Sequence, residues 1–397
     1  MRYTTTTNIV VGSLVIMMMM ITMVHSSTPT PSGYKHVGNN PRRAPLLPHH
    51  HKLERGTQTC PCSNASLCDP LTIGPRKEFV GFTTAQDAWT TYNLAHLTTL
   101  IMFTDPDPQI ICQAHAAGAR ISVGVGFDVS QIFNETYKEI FIANTIGEVT
   151  YNYYDGFNMD FEATLFANQS MESALFTELM IELAYQLKQI NAGYQVSIDL
   201  APGPYCYWNR CYDTFGLSQV SDIMIVMDYD MNINGLAGAN CDLPELVSAT
   251  SDYLAIHVPP EKIINGYPWY AYNYTCQSNM TLETRNCYYD TTYRWQSFYI
   301  NQLTYSQIVT LLNTSITTSG MQWDDVTQTP FFNFVDTSSN TVRQMWFDNP
   351  DSLTIKVQAA KKLGVGGVAV WLLDDVDPYN QPTETAAMWN AMYSFFD

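Results

Sequence analysis

The stretch Asp155-Gly156-Phe157-Asn158-Met159-Asp160-Phe161-Glu162 decides the fold, because polar and apolar side chains alternate along it. Successive side chains of a β-strand point to opposite faces. Asn158, Asp160 and Glu162 therefore share one face, and the apolar residues between them share the other. A polar file directed inward and an apolar file covered by helices are typical of a barrel strand.

Two residues of the polar file, Asp160 and Glu162, are carboxylic acids separated by one residue. Burying both in the ionised form costs electrostatic repulsion, so we expect one of them to hold a proton near neutral pH, as a general acid does. A calcium site would need more oxygen ligands in one loop, and a solvated strand end would not place an apolar residue between the acids. Two carboxyl groups in one site are typical of glycosidases, which place them on opposite sides of the bond to be cleaved. Neighbouring positions on one strand face are too close together for that arrangement, which favours a mechanism in which the substrate supplies its own nucleophile.

Seven further short apolar runs alternate with longer amphipathic segments, which indicates strand and helix units that build a parallel sheet. The eight predicted strands are residues 78–82, 98–103, 121–126, 156–161, 196–200, 223–229, 262–267 and 367–372. The predicted helices are residues 109–118, 135–152, 171–190, 243–257, 352–363 and 383–393. Eight such units predict an α/β fold, a (β/α)8 TIM barrel, rather than a doubly wound sheet.

A long interval, about residues 269–346, separates the seventh predicted strand from the eighth. It contains Cys276, Cys287 and many aromatic residues, so we predict an inserted α+β subdomain that caps one side of the barrel mouth. Loops that follow barrel strands face the catalytic end, so this insertion is expected to contribute substrate contacts. Cys276 and Cys287 enclose a short loop and are the disulfide expected first.

The first 58 residues are predicted to lie outside the catalytic barrel. Arg2 precedes an apolar run over residues 9–24, which is typical of a signal peptide cleaved after about Ser26. An uncleaved anchor is less well supported, because the run is short for a span of about 20 residues. Residues 27–58, rich in Pro, Ser and His, predict a flexible lead or propeptide. Residues 59–397 then form the predicted barrel.

A secretory route predicts disulfides among the nine cysteines, with one cysteine left over because their number is odd. The cysteines lack histidines at a spacing suited to zinc, so no metal site is expected. Six sequons are candidates for glycosylation on surface loops: Asn64, Asn134, Asn168, Asn273, Asn279 and Asn313. The expected destination is the lysosome or the extracellular space.

Charge and composition exclude several classes of partner. A formal net charge of -18 cannot neutralise the phosphates of nucleic acid or an anionic membrane surface. A hydrophobic content of 46% excludes disorder for the bulk of the chain. The sequence has no nucleotide-binding glycine loop and no serine-nucleophile motif, so no cofactor is expected. We expect a monomer without a membrane contact once the signal peptide is removed.

Three motifs resemble glycoside hydrolase family 18. Asp155-Gly156-x-x-x-Asp160-x-Glu162 matches the fourth-strand signature of that family, and Met227-Asp228-Tyr229-Asp230 resembles its Met-x-Tyr-Asp motif. Trp371 ends the eighth predicted strand, where family members place the tryptophan under the sugar. Asp228 departs from the small or hydroxylated residue usual at the variable position. The resemblance covers about residue 60 to the C-terminus and implies a TIM-barrel glycosidase without a cofactor.

The resemblance implies substrate-assisted, retaining hydrolysis, with Glu162 as the proton donor. Asp160 is expected to orient the acetamido group of the bound N-acetylglucosamine (GlcNAc), and Asp155 to share a hydrogen bond with Asp160. Tyr229 is expected to bind the acetamido oxygen. The expected substrate-binding residues are Asn158, Asp230, Trp371, Trp269 and Tyr270, although packing roles for Trp269 and Tyr270 are equally open.

The implied substrate is the β-1,4 bond of GlcNAc-GlcNAc, in the core of N-glycans or in chito-oligosaccharides. An endo-acting chitinase or endo-N-acetylglucosaminidase would use the same motifs, and an open groove would favour it. A non-catalytic chitin-binding lectin is a third alternative, but such proteins lack the acid that Glu162 supplies here.

Overall fold

A computed structural model describes residues 59–71, 74–290, 300–314 and 318–397. The predicted signal peptide and flexible lead, residues 1–58, lie outside the described residues. Eight parallel strands close into a barrel, which confirms the predicted TIM barrel. The barrel strands are β1 (Glu78–Thr83), β2 (Thr99–Met102), β3 (Arg120–Val125), β4 (Gly156–Met159), β5 (Gln195–Leu200), β6 (Ile223–Met227), β7 (Ile263–Pro268) and β13 (Gly367–Trp371). Around the barrel their order is β1-β13-β7-β6-β5-β4-β3-β2.

Seven helices surround the barrel, each between or after barrel strands within the described residues. They are α1 (Gln109–Ala117), α2 (Glu135–Tyr151), α3 (Ser170–Ile190), α4 (Thr214–Val220), α5 (Leu243–Ala255), α7 (Pro350–Lys362) and α8 (Pro382–Tyr393). The sequence did not predict α4, which is only seven residues long. Between β1 and β2 the connection contains a short 3-10 helix, Ala88–Thr91, in place of an α-helix.

Alternation along the strands separates two apolar layers. Inward side chains such as Val80, Ile101 and Ile225 form a small cluster inside the barrel. Outward side chains such as Phe157 and Met159 pack in the larger core between the barrel and its helices. The polar file of β4 faces inward, as the sequence predicts, because its apolar file is needed to bury the faces of the helices.

The chain segment between β7 and α7 forms a second, antiparallel sheet. Its strands are β8 (Tyr270–Thr275), β9 (Ile300–Thr304), β10 (Gln322–Asp324), β11 (Thr329–Asp336) and β12 (Thr341–Trp346), in the order β10-β11-β12-β8-β9. Helix α6 (Tyr305–Leu312) follows β9. A capping box begins this helix. The Thr304 side chain accepts a hydrogen bond from the Gln307 backbone N–H, and the Gln307 side chain accepts one from the Thr304 backbone N–H. This sheet and helix occupy the interval in which the insertion was predicted.

Four disulfides join the cysteines, in the pairs Cys60–Cys68, Cys62–Cys112, Cys206–Cys211 and Cys276–Cys287. Cys241 is buried and unpaired. Within the described part of the chain, no helix combines the length and apolar character needed to cross a membrane.

The six sequons do not share one environment. Five asparagines are exposed: Asn64, Asn134, Asn168, Asn279 and Asn313. Asn273 is 6% exposed on β8, between partners on β9 and β12. We therefore propose that Asn273, unlike the other five, carries no glycan in the folded protein, because a glycan on this side chain would separate the strands.

Candidate active site

The end of β4 places the predicted acid at the barrel mouth. The Asp160 amide donates to the Val125 carbonyl at 2.8 Å, so the backbone of β4 stays in register with β3 up to Asp160. Phe161 turns outward and stacks on Phe176 of α3, with ring centroids 3.9 Å apart. Glu162, two residues beyond Asp160, keeps 17% of its side chain exposed. A carboxyl group at the open end of the barrel remains accessible to a substrate.

A third carboxyl group, Asp199 at the end of β5, lies beside this pair. It accepts a hydrogen bond from Asn158 Nδ2 at 2.6 Å, and the Ser197 hydroxyl donates to Asn158 Oδ1 at 2.8 Å. Burial and the charge of Asp160 raise the pKa of Asp199 well above its usual value. A raised pKa favours the protonated form of Asp199, a third acid beside the two that the sequence analysis singled out.

Asn158 does not line the cleft. Its side chain is fully buried and its oxygen and nitrogen both bond to β5. The expectation that Asn158 contacts the substrate is wrong, because it lies one layer below the mouth, where it orients Asp199.

Tyr229 follows β6 and faces the same carboxyl groups. Burial, and then the charges of Asp199, Glu162, Asp230 and Asp160, raise its pKa well above the usual value. The phenol therefore stays protonated and can donate a hydrogen bond. Asp230 lies next to it at a left-handed backbone position, φ 60°, and is 2% exposed.

Two tyrosines of β8 support Asp230. The hydroxyl groups of Tyr270 and Tyr272 both donate to Asp230 Oδ1, the latter at 2.6 Å. The Tyr270 ring also meets Tyr229 edge-on, with centroids 6.0 Å apart. The inserted sheet therefore contributes to the site through side chains that contact Asp230 and Tyr229. Tyr270 itself is buried, at 5% exposure, and packs against these two residues.

Asp228, the unusual residue of the Met-x-Tyr-Asp motif, points away from the cleft. Its carboxyl accepts a hydrogen bond from Asn265 at 2.6 Å, and Asn265 donates in turn to Thr250 of α5 at 2.8 Å. Burial raises the pKa of Asp228 well above its usual value. The departure from the family motif therefore changes the barrel–helix interface and leaves the cleft lining unaltered.

The two tryptophans among the predicted substrate-binding residues have different surroundings. Trp371 ends β13 on the inward side, partly exposed over Phe82 and Phe103, with centroids 5.4 and 5.8 Å away. Trp269 is 1% exposed and packs edge-on against Trp389 of α8 at 5.5 Å. Of the two roles left open for Trp269, the packing role therefore agrees with the structure and the substrate contact does not, because its ring fills the helix layer outside the barrel.

The role expected of Asp155 is also wrong. Asp155 precedes β4 at the opposite end of the barrel, about 16 Å from Asp160 at 3.3 Å per residue. Its carboxylate accepts hydrogen bonds from Leu71 N at 2.7 Å, His115 Nε2 at 2.9 Å and Ile121 N at 2.7 Å. Asp155 therefore anchors the segment before β1 to the barrel, and it cannot bond to Asp160.

Arg210, in the loop after β5, is a further residue that the sequence analysis missed. Its guanidinium Nη2 donates a hydrogen bond to Glu162 Oε2, within the distance of an ion pair. No pattern in the sequence marks a single arginine in a loop. Asp199 had a signal, since Ser197 and Asp199 alternate with apolar residues along β5 as the polar file does along β4.

The described residues offer no unoccupied cluster of metal ligands. The grouping of Cys60, Cys62 and Cys68 brings three sulfur atoms together, but all three belong to disulfides. A disulfide sulfur cannot act as a thiolate ligand.

Comparison with known proteins agrees with this geometry. Residues 112–375 match the model of glycosyl hydrolases family 18. The chain is 37% identical to a protein named probable di-N-acetylchitobiase 1 of Dictyostelium discoideum over 359 residues, covering 87% of this chain and 95% of that protein. It is 30% identical to the di-N-acetylchitobiase of Mus musculus, covering 87% of this chain and 96% of that protein.

The fold matches a family 18 chitinase of Cycas revoluta, solved in complex with (GlcNAc)3, with a TM-score of 0.63 and 16% identity. The match covers 81% of this chain and 100% of that chain. From the family match, the close relatives and the barrel, we conclude that the chain belongs to glycosyl hydrolases family 18 and is a glycosidase.

Proposed function

We propose that the protein hydrolyses the β-1,4 bond of GlcNAc-GlcNAc by substrate-assisted, retaining catalysis. The observation that supports this most directly is the position of Glu162. It stands partly exposed at the barrel mouth, with Asp160 and Tyr229 near it, in a chain 37% identical to a probable di-N-acetylchitobiase. A protein that only binds chitin needs no proton donor at this point.

In the proposed first step, Glu162 gives its proton to the glycosidic oxygen as the bond between that oxygen and the anomeric carbon breaks. The acetamido oxygen of the same sugar bonds to the anomeric carbon and forms an oxazolinium ion. In the second step, water attacks the anomeric carbon and gives a proton back to Glu162, and the acetamido oxygen leaves. Two displacements at one carbon retain the β configuration.

The neighbours of Glu162 fit this scheme. An ionised Asp160 would accept from the acetamido N–H and balance the positive charge of the oxazolinium ion. The raised pKa of Asp199 favours its neutral form, which would limit the negative charge next to Asp160. The Tyr229 hydroxyl would donate to the acetamido oxygen and align it. Trp371 would stack on the apolar face of the sugar, and Asp230 would contact its hydroxyl groups.

The endo-acting chitinase, the endo-N-acetylglucosaminidase and the lectin are less well supported alternatives. The two relatives described above, which each cover 87% of this chain, have di-N-acetylchitobiase in their names. We also propose a lysosomal or extracellular location, because four disulfides need an oxidising compartment to form.

The test uses chito-oligosaccharides labelled at the reducing end, with product lengths followed over time at mildly acidic pH. Release of single GlcNAc units from one end is expected, and Glu162→Gln should abolish it. Glu178→Gln, on the exposed face of α3, is the matched control and should retain full activity. Internal cuts would assign the protein to the endo class, and binding without cleavage by the wild type would support the lectin.

A further inference from the structure

The loop that follows β5 is closed by the disulfide Cys206–Cys211 and contains Arg210. Three of its residues, Cys206, Trp208 and Asn209, have left-handed backbone conformations with φ between 52° and 60°. Such conformations cost free energy for residues other than glycine, and they persist where the surrounding structure fixes them. The short cross-link is one such constraint.

This loop is bonded to the backbone on both sides of Glu162. The Leu165 amide donates to the Asn209 carbonyl at 2.8 Å, and the Cys211 amide donates to the Leu165 carbonyl at 2.9 Å. The Tyr212 hydroxyl lies 3.0 Å from the Phe161 carbonyl and 2.6 Å from the Ala163 carbonyl. Arg210 is therefore held in register with Glu162 by hydrogen bonds that flank both residues.

The Arg210 side chain is only 4% exposed. Its Nη2 contacts Glu162 Oε2, and the guanidinium lies over the Trp208 ring, 5.3 Å from the centroid. Burial opposes the charge, but Glu162 raises the pKa of Arg210, so the guanidinium stays charged. A planar, always charged group stacked on an aromatic ring has little freedom to move.

We propose that Arg210 is a positioning residue for Glu162, held in place by the Cys206–Cys211 loop, and that it assists proton donation to the leaving sugar. This inference rests on the proposed function. As Glu162 loses its proton it becomes a carboxylate, and the fixed guanidinium stabilises the charge that develops. The same contact keeps the carboxylate directed at the water of the second step.

The contribution of Arg210 depends on the leaving group. A departing GlcNAc needs a proton on the glycosidic oxygen, because a sugar alkoxide is a poor leaving group. A 4-nitrophenolate leaves with little proton donation. Loss of a positioned general acid should therefore slow the first substrate far more than the second, whereas general damage to the barrel would slow both equally.

The experiment compares kcat and KM of wild type, Arg210→Met and Arg210→Lys on GlcNAc-GlcNAc and on 4-nitrophenyl N-acetyl-β-glucosaminide. Arg210→Met should lose about 100-fold in kcat on the disaccharide, the lower range for general acid catalysis. Its loss on the nitrophenyl substrate should be less than about 5-fold, with KM little changed on either. Arg210→Lys should recover part of the loss on the disaccharide.

Arg343→Met is the matched control, because it removes another arginine–carboxylate pair, with Asp336 in the second sheet. It should preserve the ratio of the two activities. If Arg210→Met does not fold, the double variant Cys206→Ser, Cys211→Ser removes the cross-link of the loop instead. It should lower the ratio of the kcat on GlcNAc-GlcNAc to the kcat on the nitrophenyl substrate. Equal losses on both substrates, or no loss on either, would overturn the proposal. A fully active Glu162→Gln would instead refute the proposed function.

Discussion

Replacing His115 with alanine should lower the free energy of unfolding, because His115 is bonded to Asp155 at the end of the barrel opposite the mouth. His115 Nδ1 lies 2.8 Å from the Leu67 carbonyl, and Nε2 lies 2.9 Å from the Asp155 carboxylate. A carbonyl and an ionised carboxylate only accept hydrogen bonds, so an imidazolium, with hydrogen on both ring nitrogens, satisfies both contacts. Both side chains of the pair are 0% exposed. Removal of one partner from such a pair costs about 3–5 kcal/mol.

The loss should depend on pH. Burial alone would lower the pKa of His115, but the hydrogen bond and charge of Asp155 raise it above its usual value. A raised folded pKa means that the stabilisation is fully present below the unfolded value of about 6.5, and is lost as pH rises through the folded pKa. Chemical denaturation of wild type and His115→Ala should therefore give a difference that shrinks towards alkaline pH.

His115→Gln separates charge from hydrogen bonding. Its amide can still donate to Asp155, so we expect a smaller loss of about 2 kcal/mol, which is the bond to Leu67 and the charge-assisted part of the bond to Asp155. Both variants should keep the wild-type kcat while folded. A difference between wild type and His115→Ala that stays constant from about pH 5 to 8 would refute the imidazolium assignment.

Three further predictions follow from other contacts. Trp269→Ala should destabilise the fold by about 3–5 kcal/mol in denaturation experiments, with KM unchanged, because the ring is core; a raised KM at wild-type stability would restore the substrate contact. Asp199→Asn should retain activity within several-fold near neutral pH, since the raised pKa of Asp199 favours its protonated form. Asp199→Ala should cost about 1–3 kcal/mol of stability by leaving the Asn158 side-chain N–H without its acceptor. Mass spectrometry of the secreted protein should find Asn273 unmodified, and a glycan there would contradict its burial.

Much of the fold follows from alternation in short segments. The eight barrel strands were predictable because each buries an apolar file against helices, as Phe157 and Met159 do. The same alternation explains why the roles predicted for Asp155 and Trp269 do not fit the structure. Asp155 shares its parity with Phe157 and therefore faces outward. Trp269 shares its parity with Tyr267 on β7 and also packs in the outer layer.

The parts that could not be predicted depend on contacts between distant segments. The contact of Arg210 with Glu162 arises from a loop fixed by a disulfide and by hydrogen bonds to Leu165. The support of Asp230 by Tyr270 and Tyr272 requires the inserted sheet to lie against β6 and β7. Local pattern carries no information on such contacts, because they are set by packing across the barrel mouth.

The central claim is that the acetamido group of the substrate is the nucleophile and Glu162 is the acid and base. The most direct measurement is the anomeric ratio of newly formed products during hydrolysis of (GlcNAc)3, followed by ¹H NMR faster than mutarotation. We expect an initial excess of the β anomer, because two displacements at the anomeric carbon retain its configuration. An initial excess of the α anomer would contradict it, since water would then have attacked directly with a second carboxylate as base.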